Sequence, residues 1–255
     1  MNFFIDVQGT LIDDTKRLPI PGSKEFIEAL NQEQIPYVVI TNNTKQPSQH
    51  FLEYLRGLGF GIKRYIDPLM VLQEVLTVKK VAAYGVEGFL SVLQDLGYEL
   101  DYENPDAVVL SVKEDYDFAT FAQIDEFLLR GAKLFGMHQT SLYAKGSKRY
   151  PGVGALLAMF EFACGVNSQV VGKPSPLFYE RARQMIGVDF SDITIISDDA
   201  VGDLVGAKKL GMKSVLVLSG KIKRADEVLP KLPPRLRPDI VCKDIYEAGK
   251  ILGVL

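Results

Sequence analysis

The chain has 255 residues, with 29 Lys plus Arg against 32 Asp plus Glu, a formal net charge of −3 at pH 7. That balance lacks the basic excess that whole-domain binding to nucleic acid or an anionic membrane requires, and leaves open only a local basic pocket. With 47% hydrophobic and 24% charged residues the composition is that of a globular protein of one or two domains, not of a disordered chain. Cys164 and Cys242 show no CxxC or Cys/His spacing, so neither a zinc site nor a disulfide framework is expected. Asp6 follows Met1 to Ile5 at once, with no basic region and too short an apolar run for a signal peptide. No stretch approaches the ~20 apolar residues of a membrane span, and the expected compartment is the cytoplasm.

Short apolar runs alternate along the chain with stretches of helical periodicity, the pattern of βα units and a parallel sheet. Strands are expected at 3–6, 37–41, 81–84, 107–111, 133–136, 169–171, 194–198, 214–218 and 239–242. Between the first two, a helix over 24–32 puts Phe26, Ile27 and Leu30 on one face, and a helix over 49–58 does the same with Phe51, Leu52, Leu55 and Leu58. Asp6, Thr41 and Asp198 fall at the carboxyl ends of apolar strands, the edge at which open parallel sheets bind ligands, and Lys173 follows a fourth such run. Residues 77–165 carry their own strands and helices without such strand-end polar groups, so they read as an inserted domain. The expected organisation is a core over 1–76 and 166–255 interrupted by an α/β insertion over 77–165. The segment 221–238, rich in Pro, Lys and Arg, reads as a surface connection.

Asp6-Val7-Gln8-Gly9-Thr10 ends a strand in a carboxylate and follows it with a turn able to present free amides. Such an aspartate serves as a nucleophile, a metal ligand, or simply a turn cap. Asp198, Asp199 and Asp203 repel one another unless a cation lies among them, and all-oxygen ligation suits Mg²⁺; aspartates at a helix N-terminus are the structural alternative. Thr41-Asn42-Asn43 and the Lys173 of Gly172-Lys173-Pro174 offer a hydroxyl, amides and an ammonium, donors that would surround a phosphoryl group.

In this order the residues resemble the four signature motifs of the haloacid dehalogenase superfamily. The long insertion between the second and third motifs is similar to the subfamily with a large α/β cap. Within it, Met137-His138-Gln139 to Tyr143 and the basic, Pro-containing segment are similar to the phospholysine phosphohistidine inorganic pyrophosphate phosphatase branch. The resemblance implies an α/β fold, a Rossmann-like parallel-sheet core with an inserted α/β cap domain, and a Mg²⁺-dependent phosphatase of a small phosphorylated substrate. In that reading Asp6 is the nucleophile, the metal is held by Asp6, the carbonyl of Gln8 and Asp198, and Asp199 and Asp203 support it. Gly9, Thr41, Asn42, Asn43 and Lys173 bind the phosphoryl group, and His138 and Gln139 lie where the family places its specificity loop. The same resemblance admits a homodimer through the cap.

Gln8 departs from the pattern, because phosphatases of the superfamily carry a second aspartate there to protonate the leaving oxygen. A carboxamide cannot exchange that proton, and assistance worth about 10²- to 10⁴-fold is expected to be missing. Three readings stay open: a phosphatase slow on alkyl phosphates, a protein that binds a phosphorylated ligand without turnover, and a phosphotransferase. Ser197 stands where the family usually has Gly. His50 is expected at the surface, and Lys145, Lys148 and Arg149 form a basic cluster that could meet a second anionic group or be simply solvated.

Overall fold

In a computed structural model of the chain, residues 1–113, 115–145 and 148–255 are described. Each apolar run expected to be a strand forms one, within a residue of its expected ends. Several of these strands are buried along their whole length, as in a parallel sheet covered on both faces. The short strands Tyr65–Ile66 and Glu99–Leu100 and the antiparallel pair Leu142–Lys145 and Lys148–Pro151 are additional. Two residues carry too little periodicity to announce a strand. The pair's alternation is obscured by its lysines and arginine.

The chain divides into two compact units, one of Met1–Thr41, Gln49–Ile66 and Phe178–Leu255, the other of Asn42–Ser48 and Asp67–Leu177. The first holds a six-stranded parallel sheet in the order Ile240–Cys242, Lys213–Val217, Ile193–Ser197, Asn2–Asp6, Tyr37–Ile40, Tyr65–Ile66. The order runs outward in both directions from Asn2–Asp6 and Ile193–Ser197. Such a reversal opens a crevice at the carboxyl edge, beside the residues that follow these two strands. The helix Ser23–Gln32 buries Phe26, Ile27 and Leu30 as expected, with Phe26 edge-on to Phe3 at 5.8 Å. The helix Ser48–Gly57 buries a narrower face than expected, Phe51 and Leu55, with Leu52 and Leu58 only half-buried.

The second unit holds a five-stranded parallel sheet in the order Ser168–Val170, Lys133–Gly136, Ala107–Leu110, Lys80–Tyr84, Glu99–Leu100. Its core includes Val108, Leu110, Ile124, Phe127, Leu134, Leu157 and Phe160. This corrects the organisation expected for the third segment. Ser168–Val170 pairs with Leu134–Gly136 and not with the sheet that carries Asp6, and residues 67–76 and 166–177 group with the insertion. The helix Val153–Cys164 ends on Gly165 at φ +67°, which returns the chain alongside Lys133–Gly136. A lone apolar run has no means of announcing which edge will accept its hydrogen bonds. Segment 221–238 forms three short 3₁₀ turns, Ala225–Glu227, Leu229–Lys231 and Pro234–Leu236. Among the described residues no helix is long and apolar enough to cross a membrane.

Candidate active site

The first unit gathers three carboxylates at the crevice. The pairing of Ile5 with Ile196 brings Asp6 and the Ser197–Asp198 step to neighbouring strand ends, and Asp6, Asp198 and Asp203 retain only 4, 5 and 3% exposure. Thr10 Oγ1 donates to Asp6 Oδ2 at 3.4 Å. The turn between them is tight, with Gly9 N–H donating to Ile12 O at 2.8 Å and Leu11 N–H to Val7 O at 2.9 Å. Gly9 adopts φ +72°, and a Cβ there would overlap the Asp198 carboxylate and the backbone of Gly220. The position therefore demands glycine for both its conformation and its close approach.

Burial, reinforced by the Asp6 carboxylate, pushes Asp198 up to about 8, against the lowering effect of the Lys221 N–H that donates to its Oδ2. Asp199 is held otherwise: its Oδ1 accepts the Gly202 N–H at 2.7 Å and its Oδ2 the Lys221 ammonium at 2.6 Å. Burial lowers the Lys221 pKa, but Asp199 and its acidic neighbours outweigh that and hold it above the usual lysine value. Ser197 Oγ donates to Asp203 Oδ2 at 2.6 Å and accepts the Asp199 N–H at 3.0 Å, so the Gly-to-Ser departure ties the acidic segment together. Ala200–Leu204 winds as one π-helical turn, a form that recurs at functional sites.

A buried carboxylate whose pKa is raised by burial and by a neighbouring carboxylate, as that of Asp198 is, fits a hard cation with oxygen ligands. No group of three or more His, Cys, Asp or Glu that could hold a metal occurs among the described residues. The fit is to a cation that keeps several waters and takes few protein carboxylates, as Mg²⁺ does. Asp6 and Asp198, at neighbouring strand ends, are the carboxylates that could hold it, while Asp199 and Asp203 are engaged by Lys221, Gly202 and Ser197.

Gln8 is half-buried, and its Oε1 accepts the Thr41 hydroxyl at 2.9 Å. Thr41, expected on a phosphoryl oxygen, thus directs its proton at the glutamine. Sequence reasoning placed Thr10 in the first motif without a role of its own, and missed Lys221 and Ser219, whose Oγ donates to Gly9 O at 2.6 Å. The signal for both was available, because Ser219 and Lys221 follow the strand Lys213–Val217 as Asp198 follows its neighbour.

The other expected residues lie in the second unit. Lys173 N–H donates to Asn42 Oδ1 at 2.9 Å and Asn42 Nδ2 to Lys173 O at 3.4 Å, a reciprocal pair across 131 residues of sequence. A Cβ on Gly172 would overlap the Met137 carbonyl and Asn42 Oδ1. The Lys173 side chain is 3% exposed. Asn43 donates to the Gln46 carbonyl at 2.9 Å and to Asp67 Oδ2 at 3.3 Å, which makes it a brace for its own loop. Asp67, fully buried, caps the helix Pro68–Val75 through the Leu69 and Met70 N–H groups and accepts Ser48 Oγ at 2.8 Å.

The expectation that the insertion lacks strand-end polar groups fails. Ser111 and His138 follow strands of the second sheet and are 1 and 8% exposed. Thr44 Oγ1 and Ser111 Oγ lie 3.3 Å apart, and Thr140 N–H donates to His138 Nδ1 at 3.3 Å. Gln139 and His50 are exposed, as are Lys148 and Arg149, while the Lys145 side chain lies outside the described residues.

The Haloacid dehalogenase-like hydrolase family matches residues 3–99, and a HAD-hydrolase-like family matches residues 170–248. The chain is 29% identical over 237 residues to the phospholysine phosphohistidine inorganic pyrophosphate phosphatase of Mus musculus, covering 89% of this chain and 86% of the relative. It is 29% identical over 236 residues to human haloacid dehalogenase-like hydrolase domain-containing protein 2, covering 91 and 89%. The crystal structure of a 4-nitrophenylphosphatase from Thermotoga maritima superposes with a TM-score of 0.80 at 25% identity, over 98% of this chain and 96% of that one. With two matches that take in its first and last signature motifs, and with these relatives, the chain is similar to the haloacid dehalogenase-like hydrolases.

Proposed function

We propose that the chain is a Mg²⁺-dependent phosphohydrolase of a small phosphorylated metabolite, acting through an aspartyl-phosphate on Asp6. The observation that carries this reading is the pair of buried carboxylates Asp6 and Asp198 at neighbouring strand ends, with Asp198 pushed up to about 8. The relatives named as phosphatases support the substrate class. Held by Asp6, the Gln8 carbonyl and Asp198, Mg²⁺ would supply positive charge that screens the nucleophile from the phosphoryl oxygens.

An Asp6 carboxylate oxygen bonds to phosphorus while the bond from phosphorus to the leaving oxygen breaks, its electron pair staying on that oxygen. Thr10, whose hydroxyl donates to Asp6 Oδ2, orients the carboxylate. Water then cleaves the acyl phosphate, releasing phosphate and returning Asp6. Gln8 neither gives a proton in the first step nor takes one in the second, so the enzyme favours substrates whose leaving oxygen is stable unprotonated, aryl and acyl phosphates above alkyl phosphates. The resemblance assigns phosphate-binding roles to Gly9, Asn42, Asn43 and Lys173, and substrate selection in the inserted cap to His138 and Gln139.

The test is hydrolysis of p-nitrophenyl phosphate and acetyl phosphate by purified protein with Mg²⁺, beside Asp6→Asn. Turnover of either substrate by the parent and by no preparation of the variant is expected. Absence of turnover on both, with tight binding of a phosphorylated ligand, would replace this reading with that of a ligand-binding protein.

A further inference from the structure

The chain leaves the strand Lys213–Val217 beside the acidic segment that follows Ile193–Ser197, and three contacts fix its course. Ser219 Oγ donates to Gly9 O at 2.6 Å, and Lys223 Nζ donates to Ser219 O at 2.7 Å, closing the turn. Gly220 lies so near the crevice that a Cβ on it would overlap the Asp198 carboxylate and the Cα of Gly9. The next residue, Lys221, is thereby set against two successive carboxylates. Its backbone N–H donates to Asp198 Oδ2, and its ammonium donates to Asp199 Oδ2 at 2.6 Å.

Asp199 is fixed from its own side as well. Its Oδ1 accepts the Gly202 N–H at 2.7 Å, and a Cβ on Gly202 would overlap the carboxylate. An exposed ion pair ordinarily contributes little, because two flexible side chains must be immobilised to form it. Here the Asp199 side chain is oriented by its turn and only 19% exposed, and the Lys221 backbone is pinned by the residues before it. Most of that ordering is complete before the pair forms. Consecutive aspartates are thus divided: Asp198 stands at the strand end beside that of Asp6, while both oxygens of Asp199 are occupied.

Ligand number separates the two common hard cations. Mg²⁺ keeps several waters and takes one or two carboxylates, whereas Ca²⁺ takes about six to eight oxygens in a flexible geometry, and its affinity rises with the charge of its ligands. We propose that Lys221 is a positioning residue that holds Asp199 away from the cation, so that the site offers two carboxylates and selects Mg²⁺ over Ca²⁺. Without the ammonium, Asp199 Oδ2 becomes a third carboxylate oxygen next in sequence to Asp198. Loss of the positive charge favours both cations, and the added ligand favours Ca²⁺ more. The proposal rests on the metal site proposed above for Asp6 and Asp198 and concerns what sets its selectivity.

The test is calorimetric titration of the full chain with Mg²⁺ and with Ca²⁺, in the absence of substrate, for the parent, Lys221→Met and Lys221→Arg. Methionine removes the charge but keeps the stem and the backbone N–H that holds Asp198. The Lys221 side chain is half-exposed, so the variants are expected to melt as the parent does. Lys221→Met is expected to bind Mg²⁺ about tenfold more tightly and Ca²⁺ at least 100-fold more tightly, which lowers the Mg²⁺-to-Ca²⁺ affinity ratio at least tenfold. Lys221→Ala, a second neutral variant, is expected to show the same shift, and Lys221→Arg to keep the ratio within about threefold of the parent. Adding Asp199→Asn to Lys221→Met is expected to restore the ratio of the parent. A merely structural role for Lys221 would weaken both cations together. That result overturns the proposal, as does an unchanged ratio in both neutral variants or a shift that survives in the double variant. Because no substrate is present, a chain that hydrolyses nothing is still judged by these titrations, whereas a parent that binds neither cation overturns the metal site and the proposal together.

Discussion

Replacing Gln8 by an acid probes the chemistry at its weakest point. Gln8 Oε1 accepts the Thr41 hydroxyl at 2.9 Å, so the side chain is already anchored and a carboxylate of the same length would keep that bond. Gln8→Glu preserves this reach, whereas Gln8→Asp, the residue of the family pattern, is one methylene shorter and gives up or remakes the contact. A neutral hydrogen bond of this kind contributes about 1 kcal/mol net, and charge on the acceptor raises that to about 1.5–3 kcal/mol. The Thr41 contact is therefore a stability effect of a kilocalorie or so. Restored general acid–base catalysis is worth about 10²- to 10⁴-fold, or roughly 2.7–5.4 kcal/mol of barrier. The two effects separate by assay. kcat/KM on an alkyl phosphate is expected to rise at least 100-fold in Gln8→Asp and less in Gln8→Glu, with p-nitrophenyl phosphate changing under tenfold because its phenolate departs without a proton. Unchanged alkyl-phosphate turnover in both variants, with Mg²⁺ binding and melting temperature intact, would refute the account of residue 8.

Asp198 gives a pH-dependent prediction. Its folded pKa, about 8, lies far above the ~3.9 of an unfolded aspartate, so the folded state holds its proton more tightly and the resulting stability is full below the unfolded value. That contribution is lost as pH rises towards 8. Metal-free protein is expected to melt at progressively lower temperature between pH 5 and 9, and Asp198→Asn to flatten most of that slope; Mg²⁺ should raise the pH 9 melting temperature of the parent alone. Equal slopes in parent and variant would contradict the assignment. Asp67→Ala removes a helix cap and strands the Ser48 and Asn43 donors in a buried setting, at a cost of about 2–4 kcal/mol in urea unfolding. A loss under 1 kcal/mol would show that water replaces the carboxylate there.

The strands and their polar ends were legible because both are local properties. A run such as Val38-Val39-Ile40 declares a buried strand, and a carboxylate or hydroxyl directly after it declares the edge of the sheet. Asp6, Thr41 and Asp198 could be placed on that ground, and their order carried the family resemblance. Pairing is not local. That Ser168–Val170 joins Lys133–Gly136, that Lys173 is bound by Asn42, and that Thr41 spends its proton on Gln8 all depend on partners 30 to 130 residues away, which no pattern in the intervening chain encodes. Lys221 follows a strand end, a local signal, but its salt bridge to Asp199 forms only when neighbouring strand ends meet. Exposure shows the difference most clearly. By composition Phe118 and Phe162 belong to a core as surely as Phe127 and Phe160 do, yet only the second pair is buried. Hydrophobicity belongs to a residue and can be read from its letter; burial belongs to whatever packs against it, and the tertiary structure alone decides that.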